Sequence, residues 1–186
     1  MALDSKLNRQ ALMAVFPDLR GDGNFHIMSK PTPVYNCIAW AMGYTDRWVD
    51  HFVLPGHWWP DGVERSGTTK SLVNAFIAEG FDVANDDMPE DGYEKVVLYK
   101  KHDSDEWAHA SRILSADMEH SKFGQGWDAW HSHDVLLNTG SGYKDQSYGV
   151  AYAYMKRKNK IVTHPSDGVI SVNTDMLAKI RAMLGK

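Results

Sequence analysis

The chain has 186 residues and a formal net charge of −4, and 43% of its residues are hydrophobic and 24% charged. The length favours one domain, 1–186, and the composition is that of an ordinary globular protein. Because nonspecific binding to nucleic acid relies on a cationic surface, the acidic balance argues against nucleic acid as a partner. The short basic run MKRKNK at 155–160 is interpreted as a solvated strand end.

The single cysteine excludes an internal disulfide, so nothing points to an oxidising compartment. The N-terminal segment has only a short apolar run that ends at Pro17, which is not the pattern of a cleavable secretory signal. No stretch approaches the roughly 18 apolar residues that a membrane-spanning helix needs. We expect a protein that is soluble and cytoplasmic as synthesised, that has no membrane partner, and that leaves the cell only by a signal-independent route.

Helical patterns dominate the first half of the chain. The spacing of apolar residues predicts a helix over 5–15 that ends before Pro17, with Leu7, Ala11, Leu12 and Val15 on one face. A turn at 20–25 and an extended segment at 30–36 lead to a short helix from Cys37 to Met42, with Gly43 as its C-cap. A Trp-rich loop at 51–64 precedes the clearest helix, 67–81, with Thr69 as a candidate N-cap and Gly80 as its end.

The second half has the period of strands. Strands are predicted over 94–101, 105–114, 118–124, 147–157 and 160–164, with a turn centred on Ala116, followed by a helix over 173–184. This order of helices, an antiparallel meander and a closing helix predicts an α+β fold in which N-terminal helices pack on an antiparallel sheet.

Cys37 is the first candidate for chemistry because it opens a helix after an extended approach. A free cysteine is usually a small core residue, but a helix N-terminus and a nearby imidazole lower the pKa of a thiol and favour the reactive thiolate. The best candidate for that imidazole is His109, which lies in the middle of a predicted strand between small residues. A Cys–His pair of this kind indicates a nucleophile and its general base.

A third polar residue is needed to orient the imidazole, and the return strand after the Ala116 turn offers several. With the turn centred on Ala116, His109 shares a face with Glu119, Ser121 and Phe123; a slip of one residue would bring His120 and Lys122 to that face instead. We favour Ser121 as the third member.

The order of these motifs resembles a known arrangement. A helix-start Cys followed by a His strand is the layout of the papain-like superfamily and its NlpC-like branch. The segments YNCIAWAMG, WWP, WAHASRIL, SKFG and the final YG, over roughly 13–155, also resemble an uncharacterised bacterial family with the pattern YNCIAWA, HAAR and SKLG. Ser111, Phe123 and His120 depart from that pattern, and none of them is Cys37 or His109. The resemblance implies a single papain-like thiol hydrolase domain.

Other residues receive supporting roles. Asn36 is a helix cap or an oxyanion-hole residue, and His131 belongs to the polar shell of the catalytic His. Trp58 and Trp59 are candidates for the wall of a substrate groove, although tryptophans more often fill cores. His131 and His133 form a His-x-His pair, but without a His-Glu-x-x-His motif we expect no metal and no cofactor.

Two functions remain open from the sequence. The first is a cysteine peptidase or amidase acting on a peptide or protein substrate, peptidoglycan peptides included. Such an enzyme could be a bacterial toxin effector with an inhibitor or immunity protein as a partner. The second is a non-catalytic binding or immunity module on the same fold, which would have no need of both Cys37 and His109.

Overall fold

The computed structural model describes residues 2–133, 135–137 and 148–159, and the backbone of 161–163 and 169–171. Three helices precede most of the strands: α1 (Lys6–Val15), α2 (Cys37–Met42) and α3 (Thr69–Ala78). A 3₁₀ turn (Pro17–Leu19) follows α1. The helix predicted over 173–184 lies outside the described residues. None of the described helices is long and apolar enough to cross a bilayer.

The helix boundaries follow the signals in the sequence, with two corrections. Thr68, not Thr69, caps α3, because its side chain accepts the N–H of Ser71. On α1 the apolar face is narrower than predicted: Leu12 is buried, but the side chains of Leu7 and Val15 are 68% and 55% exposed. A helix packed at one edge of a sheet buries only the residues that face it, so the apolar spacing overestimated the contact.

A seven-stranded sheet forms the centre of the fold, and every pairing in it is antiparallel. The mixed architecture confirms the α+β prediction at this coarse level. The strands, in their order across the sheet, are β1 (His26–Ile27), β8 (Asp128–Ser132), β7 (Met118–Lys122), β6 (Trp107–Ser115), β5 (Tyr93–Lys100), β9 (Val150–Lys158) and β4 (Asp82–Ala84).

Two further pairs stand beside this sheet. A parallel pair, β2 (Trp48–Val49) and β3 (His57–Trp58), brackets the first part of the Trp-rich loop. An antiparallel pair, β10 (Ile161–Thr163) and β11 (Val169–Ser171), follows the sheet. The predicted strand at 160–164 therefore corresponds to β10. The sequence pattern did not predict β1, β2, β3, β4, β8 and β11, which have no more than five residues each and show little alternation.

The sheet carries helices on both of its faces. On one face α2 and α3 pack with Val96, Leu98, Ala110 and Met155 in the larger hydrophobic cluster. On the other face α1 and the 3₁₀ turn contribute Leu12, Phe16 and Leu19 to a second cluster with Phe123 and Ala129. Alternate residues of a strand point to opposite faces, so adjacent residues of β6 belong to different layers. This alternation decides which polar side chains meet.

Candidate functional site

The start of α2 is fixed by the side chain of Asn36. Its Oδ1 accepts the N–H of Ala39 at 3.0 Å, which makes Asn36 the N-cap. The same side chain also hydrogen-bonds to the backbone of β2: Nδ2 donates to the carbonyl of Val49 at 2.7 Å, and Oδ1 accepts the Val49 N–H at 3.3 Å. Oδ1 and one of the two Nδ2 hydrogens are therefore occupied, and through these bonds Asn36 supports the position of Cys37.

Cys37 is the first residue of α2, is half-buried and is a free thiol. The ladder between β6 and β7 runs from Ser115↔Met118 to Arg112↔His120. Past the end of this ladder, the backbone N–H of Ala110 interacts with the Cys37 thiol, and the backbone N–H of Ile38 does so as well. The thiol thus lies against β6 beside the residue that follows His109, where β6 no longer pairs with β7.

The side chains of His109, Ser121 and His131 form a continuous chain of hydrogen bonds. Nε2 of His109 lies 2.9 Å from Oγ of Ser121, and Nε2 of His131 lies 2.8 Å from the same oxygen. All three residues are fully buried. The β6–β7 register is the one predicted for a turn centred on Ala116, so the predicted contact between His109 and Ser121 is confirmed.

The direction of this chain follows from its far end. Nδ1 of His131 lies 2.8 Å from the carbonyl oxygen of Ser132, and a carbonyl only accepts, so Nδ1 carries the proton. Neutral His131 therefore accepts at Nε2 from the hydroxyl of Ser121. The Ser121 oxygen in turn accepts from Nε2–H of His109. This assignment leaves Nδ1 of His109 as an unprotonated nitrogen with a free lone pair.

Nδ1 of His109 is the end of the chain that could accept a proton. It is buried and, among the described residues, has no hydrogen-bond partner. Tyr148 covers the same imidazole, with ring centroids 3.8 Å apart and planes at 2°. No hydrogen bond joins Cys37 to His109 in the part of the chain that the structure describes. His109 thus packs with Phe123 and Tyr148 on the α1 side of the sheet, whereas the thiol packs on the α2 side against the adjoining Ala110, so the expected pair stays a prediction.

Burial sets the protonation states of both groups, and for Cys37 it acts against the lowered thiol pKa expected from the sequence. Burial raises the pKa of Cys37 to about 11, and the N–H groups of Ala110 and Ile38 and the charge of Lys122 only partly offset it. Burial, followed by the nearby His131, lowers the pKa of His109 well below its usual value. At neutral pH the resting state is therefore a thiol beside a neutral imidazole.

Lys122 is a residue whose role sequence reasoning missed. Its side chain is fully buried, and Nζ donates to the carbonyls of Gly124 and Gly126, each at 2.6 Å. Nζ also lies 5.3 Å from the ring centroid of Tyr35, two residues before Cys37, and its charge lowers the pKa of the thiol. The register that places Ser121 beside His109 turns Lys122 to the α2 face, so the same parity argument could have found it.

A second polar network lies next to the histidine chain. The buried carboxylate of Glu119 accepts the hydroxyls of Tyr99, at 2.7 Å, and Ser111, and it pairs with Nδ1 of His133. Within the described ranges, no group of three or more His, Cys, Asp or Glu side chains is arranged to hold a metal ion.

The two candidate groove tryptophans differ in burial: Trp59 is buried in the core, and Trp58 is half-buried beside it. Trp59 is 6% exposed, belongs to the larger core cluster and stacks on Trp107. Trp58 packs edge-on against Tyr44 at 5.6 Å. The core position of Trp59 reflects its large apolar area, which packs against Trp107 of β6. A groove-wall role for these two tryptophans stays a prediction.

Comparison with known proteins gives one match. A family described as a domain of unknown function (DUF7689) matches residues 26–156, which is more than half of the chain and contains Cys37, His109, Ser121 and His131. No curated protein matches the chain, and no solved structure does. The chain therefore belongs to the family described as a domain of unknown function (DUF7689).

Proposed function

We propose that this chain is a cysteine-dependent hydrolase that cleaves a peptide or amide bond, on a papain-like fold of the NlpC-like kind. The observation that carries the proposal is the free Nδ1 of His109, held in one tautomer by Ser121 and His131 next to the strand residue that contacts the Cys37 thiol. A buried basic nitrogen with no partner is costly unless it has a use.

The first half of the reaction makes a thioester. The thiol proton of Cys37 passes to Nδ1 of His109 while Sγ bonds to the substrate carbonyl carbon. The imidazolium then gives that proton to the leaving amine as the C–N bond breaks. Throughout, Nε2–H of His109 stays on Ser121, which keeps the ring oriented. The second half repeats these steps with water as the nucleophile and releases the carboxylic acid.

The helix start supplies the electrostatic part of this mechanism. The backbone N–H of Cys37 is the first oxyanion donor, because N–H groups at the start of a helix lack partners within it. The positive charge of Lys122, on the α2 face of the sheet, also favours the Cys37 thiolate. In this scheme neutral His109 is the proton acceptor, and the shifted pKa values mean that the thiolate forms only together with the bond from Sγ to the substrate carbon. Catalytic hydrogen bonds are often long before substrate binds, so the open Cys37–His109 contact is compatible with it.

A second candidate function is a non-catalytic binding or immunity module. The observation that favours it is the thiol pKa of about 11, which leaves little thiolate at neutral pH. In that case the hydrogen bonds that join His109, Ser121 and His131 would only stabilise the core. As an enzyme, the chain would act on peptides or proteins, and an effector toxin of this chemistry would need an inhibitor protein in the cell that makes it.

Cleavage of a complex peptide mixture tests the proposal. The full chain, Cys37→Ser and His109→Gln are each incubated with a proteome-derived peptide library and with peptidoglycan fragments, and new termini are identified by mass spectrometry. The proposal expects cleavage by the full chain only, together with a thioester that hydroxylamine releases from Cys37. Equal cleavage by Cys37→Ser, or no cleavage and no thioester in any sample, would favour the binding module.

A further inference from the structure

A cavity of about 620 Å³ opens beside the candidate site. The residues that line it come from three segments: 50–52, Gly67 and Thr68, and the pair of strand ends that carries Lys101, Glu106 and Trp107. Gly67 leaves room for the imidazole of His51, because a Cβ there would lie 3.3 Å from Nε2. The ring of His51 can therefore lie over the backbone, and it contacts Phe52 at 4.1 Å and Trp107 at 5.2 Å.

Two connections tie this cavity to the thiol. Asn36, which precedes Cys37, bonds both backbone groups of Val49, and the next residue, Asp50, lines the cavity. Trp107 lies on the same strand as Ala110, whose N–H points at the thiol. Three residues of a strand span about 10 Å, which is also the reach of about three residues of an extended peptide.

The chemistry of the walls favours a cationic ligand. Three aromatic rings surround the space, and aromatic faces attract ammonium and guanidinium groups. Two carboxylates, Asp50 and Glu106, face one lysine, Lys101. Lys101 pairs with Glu106, but their side chains are 61% and 58% exposed, and an exposed pair of this kind is easily exchanged for a ligand. Asp50 also faces the imidazole of His51, with Oδ1 3.1 Å from Nδ1, so the cation of a ligand would meet two carboxylates beside one lysine and one imidazole.

We propose that this cavity binds a lysine or arginine side chain of a peptide substrate, two or three residues from the bond that Cys37 attacks. The aliphatic part of that side chain would lie against the aromatic wall that Phe52, His51 and Trp107 form, with its cation near Asp50 and Glu106. This inference rests on the proposed function, which supplies a peptide as the substrate. It adds that the substrate carries a cationic side chain. Trp58 and Trp59 do not line this cavity, so its aromatic wall is Phe52, His51 and Trp107.

Binding to a thiol-free chain tests this inference separately from the chemistry. Acetyl-Ala-Arg-Ala amide is titrated into full-length Cys37→Ala by calorimetry, beside the same peptide with norleucine or glutamate in place of arginine. We expect the arginine peptide to bind about tenfold more tightly than the norleucine peptide, and the glutamate peptide more weakly than both. Amide NMR shifts should then concentrate at 50–52, 67–68 and 101–107.

Charge variants supply the control. Asp50→Asn together with Glu106→Gln should remove most of the preference for arginine over norleucine, while Lys101→Gln should increase it. The Asp50→Asn substitution keeps an oxygen acceptor for the Phe52 N–H, which Oδ1 of Asp50 accepts at 3.1 Å, so the loop should be preserved. Any one of four results would overturn the inference: equal affinity for the arginine and norleucine peptides, tighter binding of the glutamate peptide, no detectable binding, or a preference for arginine that survives the double variant. None of these outcomes depends on thiol chemistry, so the hydrolase proposal stands or falls on its own test.

Discussion

Tyr148 lies flat against the imidazole of His109, with ring centroids 3.8 Å apart and an interplanar angle of 2°. The phenol ring also packs at 5.1 Å from Phe16, which joins the site to the second core cluster. The next residue, Gly149, has φ 97° and sits where a Cβ would overlap the carbonyl oxygen of Lys100. The YG motif therefore has two roles: the ring of Tyr148 covers His109, and Gly149 lets the backbone approach Lys100 more closely than any other residue would permit.

Removing the Tyr148 ring should raise the pKa of His109 toward its ordinary value, because burial is the first cause of its depression. Tyr148→Ala should show this rise and lose about 3–5 kcal/mol of stability from the cavity, whereas Tyr148→Phe keeps the stacked ring and should retain the low pKa. Histidine C–H proton NMR against pH measures the shift. An unchanged titration in Tyr148→Ala would mean that this ring does not shield His109 from water.

The charge of Lys122 should stabilise the Cys37 thiolate. Lys122→Gln keeps donors for the carbonyls of Gly124 and Gly126 but removes the charge, so the pKa of Cys37 should rise above the value of about 11 that it has beside the lysine. The alkaline limb of iodoacetamide labelling measures it. Lys70→Gln, on the surface helix α3, is the matched control and should leave the limb in place. Identical labelling curves for Lys122→Gln and the parent would exclude the electrostatic role.

Three buried histidines should make the fold sensitive to acid. Burial lowers the pKa of His109, His120 and His131 in the folded state, so below about pH 6.5 the unfolded chain binds more protons than the folded one. Stability is therefore full above that pH and falls as pH decreases, by about 1.4 kcal/mol per pH unit for each histidine that stays neutral in the fold. Urea unfolding at pH 7.5, 6.0 and 5.0 measures the loss.

Replacement of a buried histidine should reduce that slope, and replacement of an exposed one should not. His131→Gln is the test variant, and His102→Gln, whose side chain is 48% exposed, is its control. A stability that stays flat between pH 7.5 and 5.0, or an equal reduction of the slope by both variants, would contradict the assignment of neutral buried imidazoles.

The tautomer of His109 should depend on His131 through Ser121. In His131→Leu the Ser121 hydroxyl loses its acceptor and can donate to Nε2 of His109, which moves the imidazole proton to Nδ1. ¹⁵N NMR of labelled histidine distinguishes the two tautomers, and Nδ1 should change from unprotonated to protonated. Ser111→Ala removes a buried serine on the same face that bonds Glu119 instead, and it should leave the tautomer unchanged. A protonated Nδ1 in the parent chain would reverse the direction of the whole hydrogen-bond chain.

Sequence reasoning located the parts of the site that depend on local signals. Asn36 and Gly43 bracket α2 because a side-chain cap and a left-handed glycine act within one helical turn. The contact between His109 and Ser121 followed from one turn and the two-residue period of strands. These inferences needed no knowledge of the rest of the fold.

The remaining parts depend on long-range packing that no local pattern encodes. β8 has only five residues, and its pairing with β7 is seen only in the structure. The sequence therefore placed His131 in the polar shell of His109 but did not predict its hydrogen bond with Ser121. The pKa of Cys37 was expected to be lowered, because local reasoning counted the helix N-terminus and the nearby imidazole but not the burial that raises it. The core position of Trp59 was missed for the same reason, since burial depends on which elements cover the loop.

The pH dependence of Cys37 labelling by iodoacetamide, in the full chain and in His109→Ala, tests the central claim most directly. If His109 is the base for the thiol, the full chain should show two limbs, one that titrates with the lowered pKa of His109 and one near the thiol pKa of about 11. His109→Ala should lose the first limb, with labelling at neutral pH slower by about 10²–10⁴-fold, and keep the second. Superimposable curves for the two proteins would show that His109 does not act on Cys37 and would contradict the proposed catalytic pair.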